Sequence, residues 1–356
     1  MILIKKLTRN LSGSLIIFFL VLNNEMAVSQ SLKRLEKFKS GPEKTWSNWE
    51  HKRYYSWRDK IISQQQESNN SDQILRRQKA ILNGNKITTE IWNYGSISSP
   101  GNRVTDIIWE GLGYGYEFGP MICSEVPILS RSHEDAFPKV SPSGDTTWYV
   151  NAISDGLVSL GGEVSPDGQE FWTWEPLAYN DSGVPYADPL SDFLPTSTDV
   201  DRDGDGKPDS WPEGWYNQNT KAYEWPGALR QGSSNSDMES FFVVDDRMNK
   251  EFEYYPFPSD STRRGLGLEI EMRYYQWSNP LAEDIIFLIY KVTNISEKDL
   301  ENVTFGMWGD PHIGGPYNWQ DDLSFFDREN NIVYAWDADN ISDVAGREPG
   351  YFGYKF

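Results

Sequence analysis

Along the second half of the chain, apolar and polar residues take turns with a period of two. Over 266–277, Leu266, Leu268, Ile270, Met272 and Tyr274 fall on one side, with Glu269, Glu271 and Arg273 between them. That period belongs to a β-strand with one face buried. Residues 240–244 (SFFVV) and 285–290 (IIFLIY) are continuous apolar runs and predict strands buried on both faces. The turn 296–299 returns the chain into Val303, Phe305 and Met307, which alternate again. Residues 332–336 and 351–356 predict further strands. Upstream, 87–92, 109–123, 147–153 and 171–174 read the same way, the second as a strand pair rich in glycine and aromatics. These strand lengths and turn spacings predict a mainly β body of immunoglobulin-like β-sandwich type.

Two stretches depart from this pattern. Residues 30–85 predict a short, basic, helical arm: Trp46, Trp49, Trp57 and Ile61 recur at helical spacing, and 64–71 is a polar linker. Asp72 is placed to cap a helix running to Leu82, with Gly84 as its stop. Residues 175–232 predict a long irregular region rich in Pro, Gly and Trp. So long a loop inside a domain is uncommon unless it is functional or tied down.

Residues 1–29 have the build of a signal peptide. Lys5, Lys6 and Arg9 precede an apolar core at 15–22, and Ala27-Val28-Ser29 supplies small residues for cleavage. The core is shorter than the ~20 residues that a membrane span requires. The expected organisation is a leader over 1–29, the arm over 30–85 and an acidic β body over 86–356, with a sub-boundary near 235. The expected location is outside the cell or on its outer surface, with no transmembrane span after leader removal.

The middle of the irregular region reads Asp199-Val-Asp201-Arg-Asp203-Gly-Asp205-Gly-Lys207-Pro-Asp209. Carboxylates at alternate positions, with glycine at the bend, are how a short loop wraps Ca2+ in oxygen ligands. Counting from Asp201, the ligands are Asp201, Asp203, Asp205, the Lys207 carbonyl and Asp209, the last direct or through a water. The twelfth position is Pro212, so either Glu213 or Asp199 is left to complete the shell. The competing reading is a solvated acidic linker. Trp211, Trp215 and Trp225 stand nearby to bury the base of the loop. The string resembles the calcium loops of thrombospondin type 3 repeats and their bacterial relatives over about a dozen residues. The resemblance implies calcium on the five residues just named.

The run 290–305 (YKVTNISEKDLENVTF) resembles the immunoglobulin-like modules of large bacterial surface proteins. With the leader and the loop, the body is similar to exported proteins of Bacteroidota-like bacteria that use the type IX secretion route. The sorting module of such proteins does not follow, and the ending Gly-Tyr-Phe-Gly-Tyr-Lys-Phe356 reads as mid-strand. A fragment of a longer protein is therefore expected.

Charge sharpens the picture. The chain carries 33 basic and 53 acidic residues, net −20, while 31–90 is basic in balance. The acid excess therefore lies in the body, which repels nucleic acid and favours divalent cations. The single cysteine, Cys123, excludes an internal disulfide and reads as a small buried residue.

No catalytic motif completes itself. His133-Glu134 lacks the second histidine of a zinc protease, because position 137 is Phe. Asp237, Glu239, Asp245 and Asp246 flank one strand and offer an acid pair, against the plainer reading as surface acids. Asp310, His312, Asp321 and Asp322 offer a second cation site, against a hydrogen-bonded turn histidine.

The leading expectation is a structural or adhesive surface protein with a calcium-stabilised loop and no evident catalysis. Its partners would be calcium and another surface protein or a glycan. The alternative is a glycan-binding or glycan-cleaving exported protein, suggested by 15 Trp and 19 Tyr.

Overall fold

The computed structural model describes the backbone of 13–22, and then residues 77–98, 107–129, 131, 133–156, 164–167, 170–189 and 191–356. Among these the chain is mainly β, with antiparallel sheets. Among the described residues the one helical turn is a 3-10 turn at Glu213–Trp215. Most of the expected basic arm lies outside the described residues.

The strands are β1 (Gly13–Leu22), β2 (Lys79–Leu82), β3 (Ile87–Trp92), β4 (Ile108–Trp109), β5 (Leu112–Gly113) and β6 (Gly115–Ile128). Next come β7 (Phe137–Val140), β8 (Thr146–Asp155), β9 (Glu175–Pro176), β10 (Tyr216–Asn217) and β11 (Ala222–Tyr223). The second half holds β12 (Met238–Asp245), β13 (Leu268–Gln276), β14 (Ile286–Asn294) and β15 (Glu301–Pro311). It closes with β16 (Asp322–Asp327), β17 (Ile332–Asp337) and β18 (Tyr351–Lys355). They form one eight-stranded sheet, ordered β16-β17-β18-β1-β14-β13-β12-β9. Two four-stranded sheets, β15-β6-β8-β7 and β2-β3-β4-β5, and the ribbon β10-β11 complete the set. This sheet order does not display the two stacked layers of an immunoglobulin-like module; the arrangement is propeller-like.

The alternation read along 266–277 is the burial pattern of β13 as far as Met272; from Arg273 to Gln276 both faces are buried. Leu268, Ile270, Met272 and Tyr274 are all buried in a core shared with Ile91, Phe118, Ile122, Tyr290 and Phe305. Deviations from the expected strands have local causes. The helix ending at Leu82 is instead β2, paired with β3 across residues 83–86. Neither Asn83 nor Gly84 takes a positive φ, so this is not the two-residue Asn-Gly turn; burial of Ala80 and Leu82 against the core follows a strand's period of two. Residues 171–174 form no strand. Phe171 makes one bridge with Val164 and faces Arg77, whose guanidinium lies between the rings of Tyr94 and Phe171, at 4.5 and 4.7 Å. Arg77 also pairs with the buried Glu175 at 3.0 Å. The apolar centre of the expected leader lies within β1, in the middle of the large sheet.

β12 is what places the candidate site, because both of its faces are buried. Phe242 and Val244 enter the main core. Phe241 and Val243 enter a second cluster with Leu177, Trp211, Trp215 and Trp225. The irregular region is thus rooted on the outer face of the sheet.

Candidate metal centre

The three tryptophans of the second cluster pack in mutual contact, with ring centroids 5.4 to 5.6 Å apart. Trp211 Nε1 donates to the Thr196 carbonyl at 2.9 Å, and Trp215 Nε1 to that of Pro185 at 2.8 Å. Both bonds tie non-strand backbone to the sheet without a ladder. The aspartate loop spans the two sides of this base: Ser210 is buried, while 201–206 are exposed.

Within the loop the carboxylates first bind their own backbone. Asp201 accepts from the N–H groups of Gly204 at 2.6 Å and Gly206 at 2.9 Å. Asp203 accepts from Asp205 N at 3.1 Å, and Asp205 from Lys207 N at 2.8 Å. The chain curls around Asp201 because Gly204 and Gly206 adopt φ of 82° and 92°. A Cβ at either glycine would meet nothing within 4 Å, so backbone conformation and not space calls for glycine there. The two donated N–H groups hold the Asp201 carboxyl below the ordinary aspartate range.

This curl gathers oxygen atoms of Asp201, Asp203 and Asp209 within 4.8 Å of one another. Asp205 is not in that group. Its exposed carboxylate caps Lys207 N from the side. Lys207 turns its ammonium away, to Asp188 at 3.1 Å and the Trp211 carbonyl at 3.0 Å. The charge that would repel a cation in the loop is spent on the body. Asp199 closes the base of the loop by accepting from Ser210 N and Oγ. Glu213 accepts from the Tyr223 hydroxyl at 2.7 Å, so neither acid is committed to the three-carboxylate group. The sequence pattern did not reveal Arg202. Its guanidinium bonds Asp209 at 2.5 Å and stands 3.5 Å from Asp199, beside the position that a cation would share.

A second acidic group forms where β16 and β17 meet. Asp321, Asp337 and Asp339 bring carboxylate oxygens within 4.8 Å. Asp337 is buried and accepts from Asn318 Nδ2 and Ile341 N, both at 3.1 Å. Asp322 accepts from Ile313 N at 2.9 Å. Burial first, and then the charges of Asp337 and Asp321, push its carboxyl up to about 7. His312 stands between the rings of Tyr116 and Trp319. The expected grouping of His312, Asp321 and Asp322 is therefore re-sorted. Asp321 joins two acids of the β17 end, and Asp322 turns back to the chain after β15.

The acids around β12 do structural work. Glu239 is buried against Arg273 at 2.7 Å, and Asp237 accepts from Ser278 N and Oγ. Asp246 accepts from Leu266 N, Gly267 N, Leu268 N and Ser154 Oγ, at 2.7 to 3.1 Å. His133 contacts the Phe252 ring.

Compared with known protein families, curated proteins and solved structures, the chain matches none.

Proposed function

We infer that this chain is a structural or adhesive protein of the cell exterior whose irregular region is stiffened by calcium at Asp201, Asp203 and Asp209. Asp205 and the Lys207 carbonyl, expected from the sequence, would complete the ligand set once Asp205 leaves its bond to Lys207 N. The observation that carries the reading is the convergence of three carboxylates on a loop already curled by its own N–H groups. Hard cations take oxygen ligands of this kind, and a pre-curled loop lowers the ordering cost of binding. The leader expected over 1–29, the resemblance of the loop and of 290–305 noted in the sequence, and the acidic body support the same reading. A ligand held only by the native state raises stability by RT ln(1 + [L]/Kd), about 2.7 kcal/mol at a hundredfold excess over Kd. The test is thermal melting in calcium and in EDTA, with Asp203→Ala as control. Calcium is expected to raise Tm in the wild type and not in the variant. Superimposable wild-type curves would end the reading.

One observation favours a second reading, glycan binding. Leu323, Phe325 and Tyr351 are exposed on the β16-β17-β18 part of the sheet, beside the rings of Tyr334 and Trp336. Aromatic faces stack on the C–H faces of sugars, and acids such as Asp321 and Asp339 would accept sugar hydroxyls. The rings are tilted by 37° to 64° to one another, so they do not make one flat platform. Glycan-array binding that disappears in Trp336→Ala would establish this reading, and a silent array would remove it.

A further inference from the structure

In the eight-stranded sheet β14 and β18 do not touch each other. β14 pairs along its whole length with β13, and β18 pairs with β17. Their other edges both face β1. Gly13–Phe18 pair with Val292–Phe287, and Phe18–Leu22 pair with Lys355–Tyr351, both antiparallel. β14 and β18 therefore run parallel to each other on opposite edges of β1, β14 along its first half and β18 along its second, overlapping only at Phe18. The strand between them is the apolar centre of the sequence expected to leave as an export leader. Without it the sheet divides into β16-β17-β18 and β14-β13-β12-β9, each with a bare edge of backbone donors and acceptors. Bare apolar edges are where other chains add.

We propose that the gap between β14 and β18 is a strand-acceptor site. In the processed protein it takes one extended segment of a partner polypeptide, antiparallel to both edges. The register defines the chemistry of that segment. Leu15, Ile17, Phe19 and Val21 stand opposite Tyr290, Leu288, Tyr354 and Phe352. Leu288, Tyr290 and Phe352 are at most 2% exposed and belong to the main core. Of the intervening register positions, 14 and 16 stand opposite the exposed Lys291 and the half-buried Ile289, and 22 opposite the exposed Tyr351, whereas 20 stands opposite the buried Gly353 and takes a small or apolar residue. The segment must therefore be apolar at every second position over about eight residues and tolerates polar residues between, other than at 20. A shift by one residue would put its polar set against the core. Strand addition of this kind draws affinity from main-chain hydrogen bonds and specificity from alternate side chains.

The proposal rests on removal of the leader, which the intact mass of the protein recovered after export of the full chain reads independently. That protein is titrated with a fluorescent decapeptide carrying Leu, Ile, Phe and Val at the positions of 15, 17, 19 and 21, a small residue at that of 20, and Thr or Lys at the others. The control has the same composition shifted by one position. Expected is binding at least tenfold tighter than the control. In a Cys123→Ser background, the peptide with cysteine at position 16 should cross-link to Ile289→Cys, and with cysteine at 22 to Tyr351→Cys, but not the reverse. These pairs face each other in the register, within disulfide reach. Equal binding of both peptides, absence of binding, or a recovered chain that keeps residues 13–22 and excludes the peptide would each overturn the proposal.

Discussion

Two aspartates of this chain do the same thing in opposite surroundings. Asp201 and Asp246 each collect backbone N–H groups around one carboxylate. The donors of Asp201 come from its own loop, three and five residues on. Those of Asp246 come from the turn before β13, twenty residues on, joined by Ser154 of β8. Asp246 is 1% exposed, whereas Asp201 stands in solvent. Contact order and burial thus decide what a collected carboxylate is for. Local donors curl a loop and leave its oxygens facing outward, free to converge with Asp203 and Asp209. Distant donors staple β8, β12 and β13 into one body and use all the oxygens up.

The largest test of this contrast is Asp246→Ala. Three buried N–H groups and a hydroxyl would lose their acceptor, at ~1–3 kcal/mol for each group left unsatisfied. A loss of about 3 kcal/mol or more is expected in urea denaturation. A loss below about 1 kcal/mol would mean that the staple is not one. Asp201→Ala should behave in the reverse way. In EDTA it should cost under about 1 kcal/mol, as an exposed loop substitution does. In calcium it should erase a stabilisation of about 2.7 kcal/mol at a hundredfold excess over Kd. Calorimetry with and without the metal reads both numbers. Equal losses in the two media would put Asp201 in the same class as Asp246.

The contrast also shows which parts of the molecule can be read from sequence. β12 to β15, β17 and β18 were legible because burial imposes period two or an unbroken apolar run, and each strand carries that mark itself. The aspartate loop was legible for a similar reason: its donors and acceptors lie within a few residues. What could not be read depends on residues far away. Arg202 looks like one more charge in an acidic string, and only the fold sets it on Asp209. Glu239 and Asp246 look like surface acids until Arg273 and the turn before β13 arrive. The turn between β2 and β3 belongs with these: Gly84 reads as a helix stop, and only the core contacts of Ala80 and Leu82 decide for a strand. Asp337 and Asp339 went unnoticed beside Asp321 because pairing of β16 with β17 is what sets Asp322 opposite Asp337.

That second acidic group lies between the two extremes, and pH separates it from them. The Asp322 carboxyl is raised from 3.8 to about 7 by burial and neighbouring negative charge. A raised acid favours its neutral form in the native state. The stabilisation is complete below its unfolded value near 3.8 and is lost as pH rises through about 7. Asp322→Asn keeps an oxygen for Ile313 N and cannot ionise. Because Asp322 is only half-buried, solvent screening discounts the shift, and the variant's Tm relative to wild type should climb between pH 5 and 8 by ~1–2 °C. Melting across that range checks it. A difference that stays flat would show that Asp322 is already ionised at pH 5.

The smallest expected effect belongs to Arg202, and it separates a loop poised for a cation from one satisfied by its own charges. Arg202 is 61% exposed on its side chain, and its contacts with Asp209 and Asp199 are solvent-screened. Such a pair contributes about 0–1 kcal/mol, so Arg202→Ala should leave stability in EDTA within that range. A divalent cation on Asp209 must first displace the guanidinium. Removing it should therefore raise calcium affinity by up to about fivefold, the equivalent of the same 1 kcal/mol. The gain should shrink as salt is added, because screening has by then weakened the competing pair. Titration calorimetry of wild type and variant at two salt concentrations measures both. Weaker binding in the variant would mean that Arg202 orders the carboxylates for the ion. The curl made by Gly204 and Gly206 would then be insufficient alone, and Asp201 would depend on long side-chain contacts much as Asp246 does.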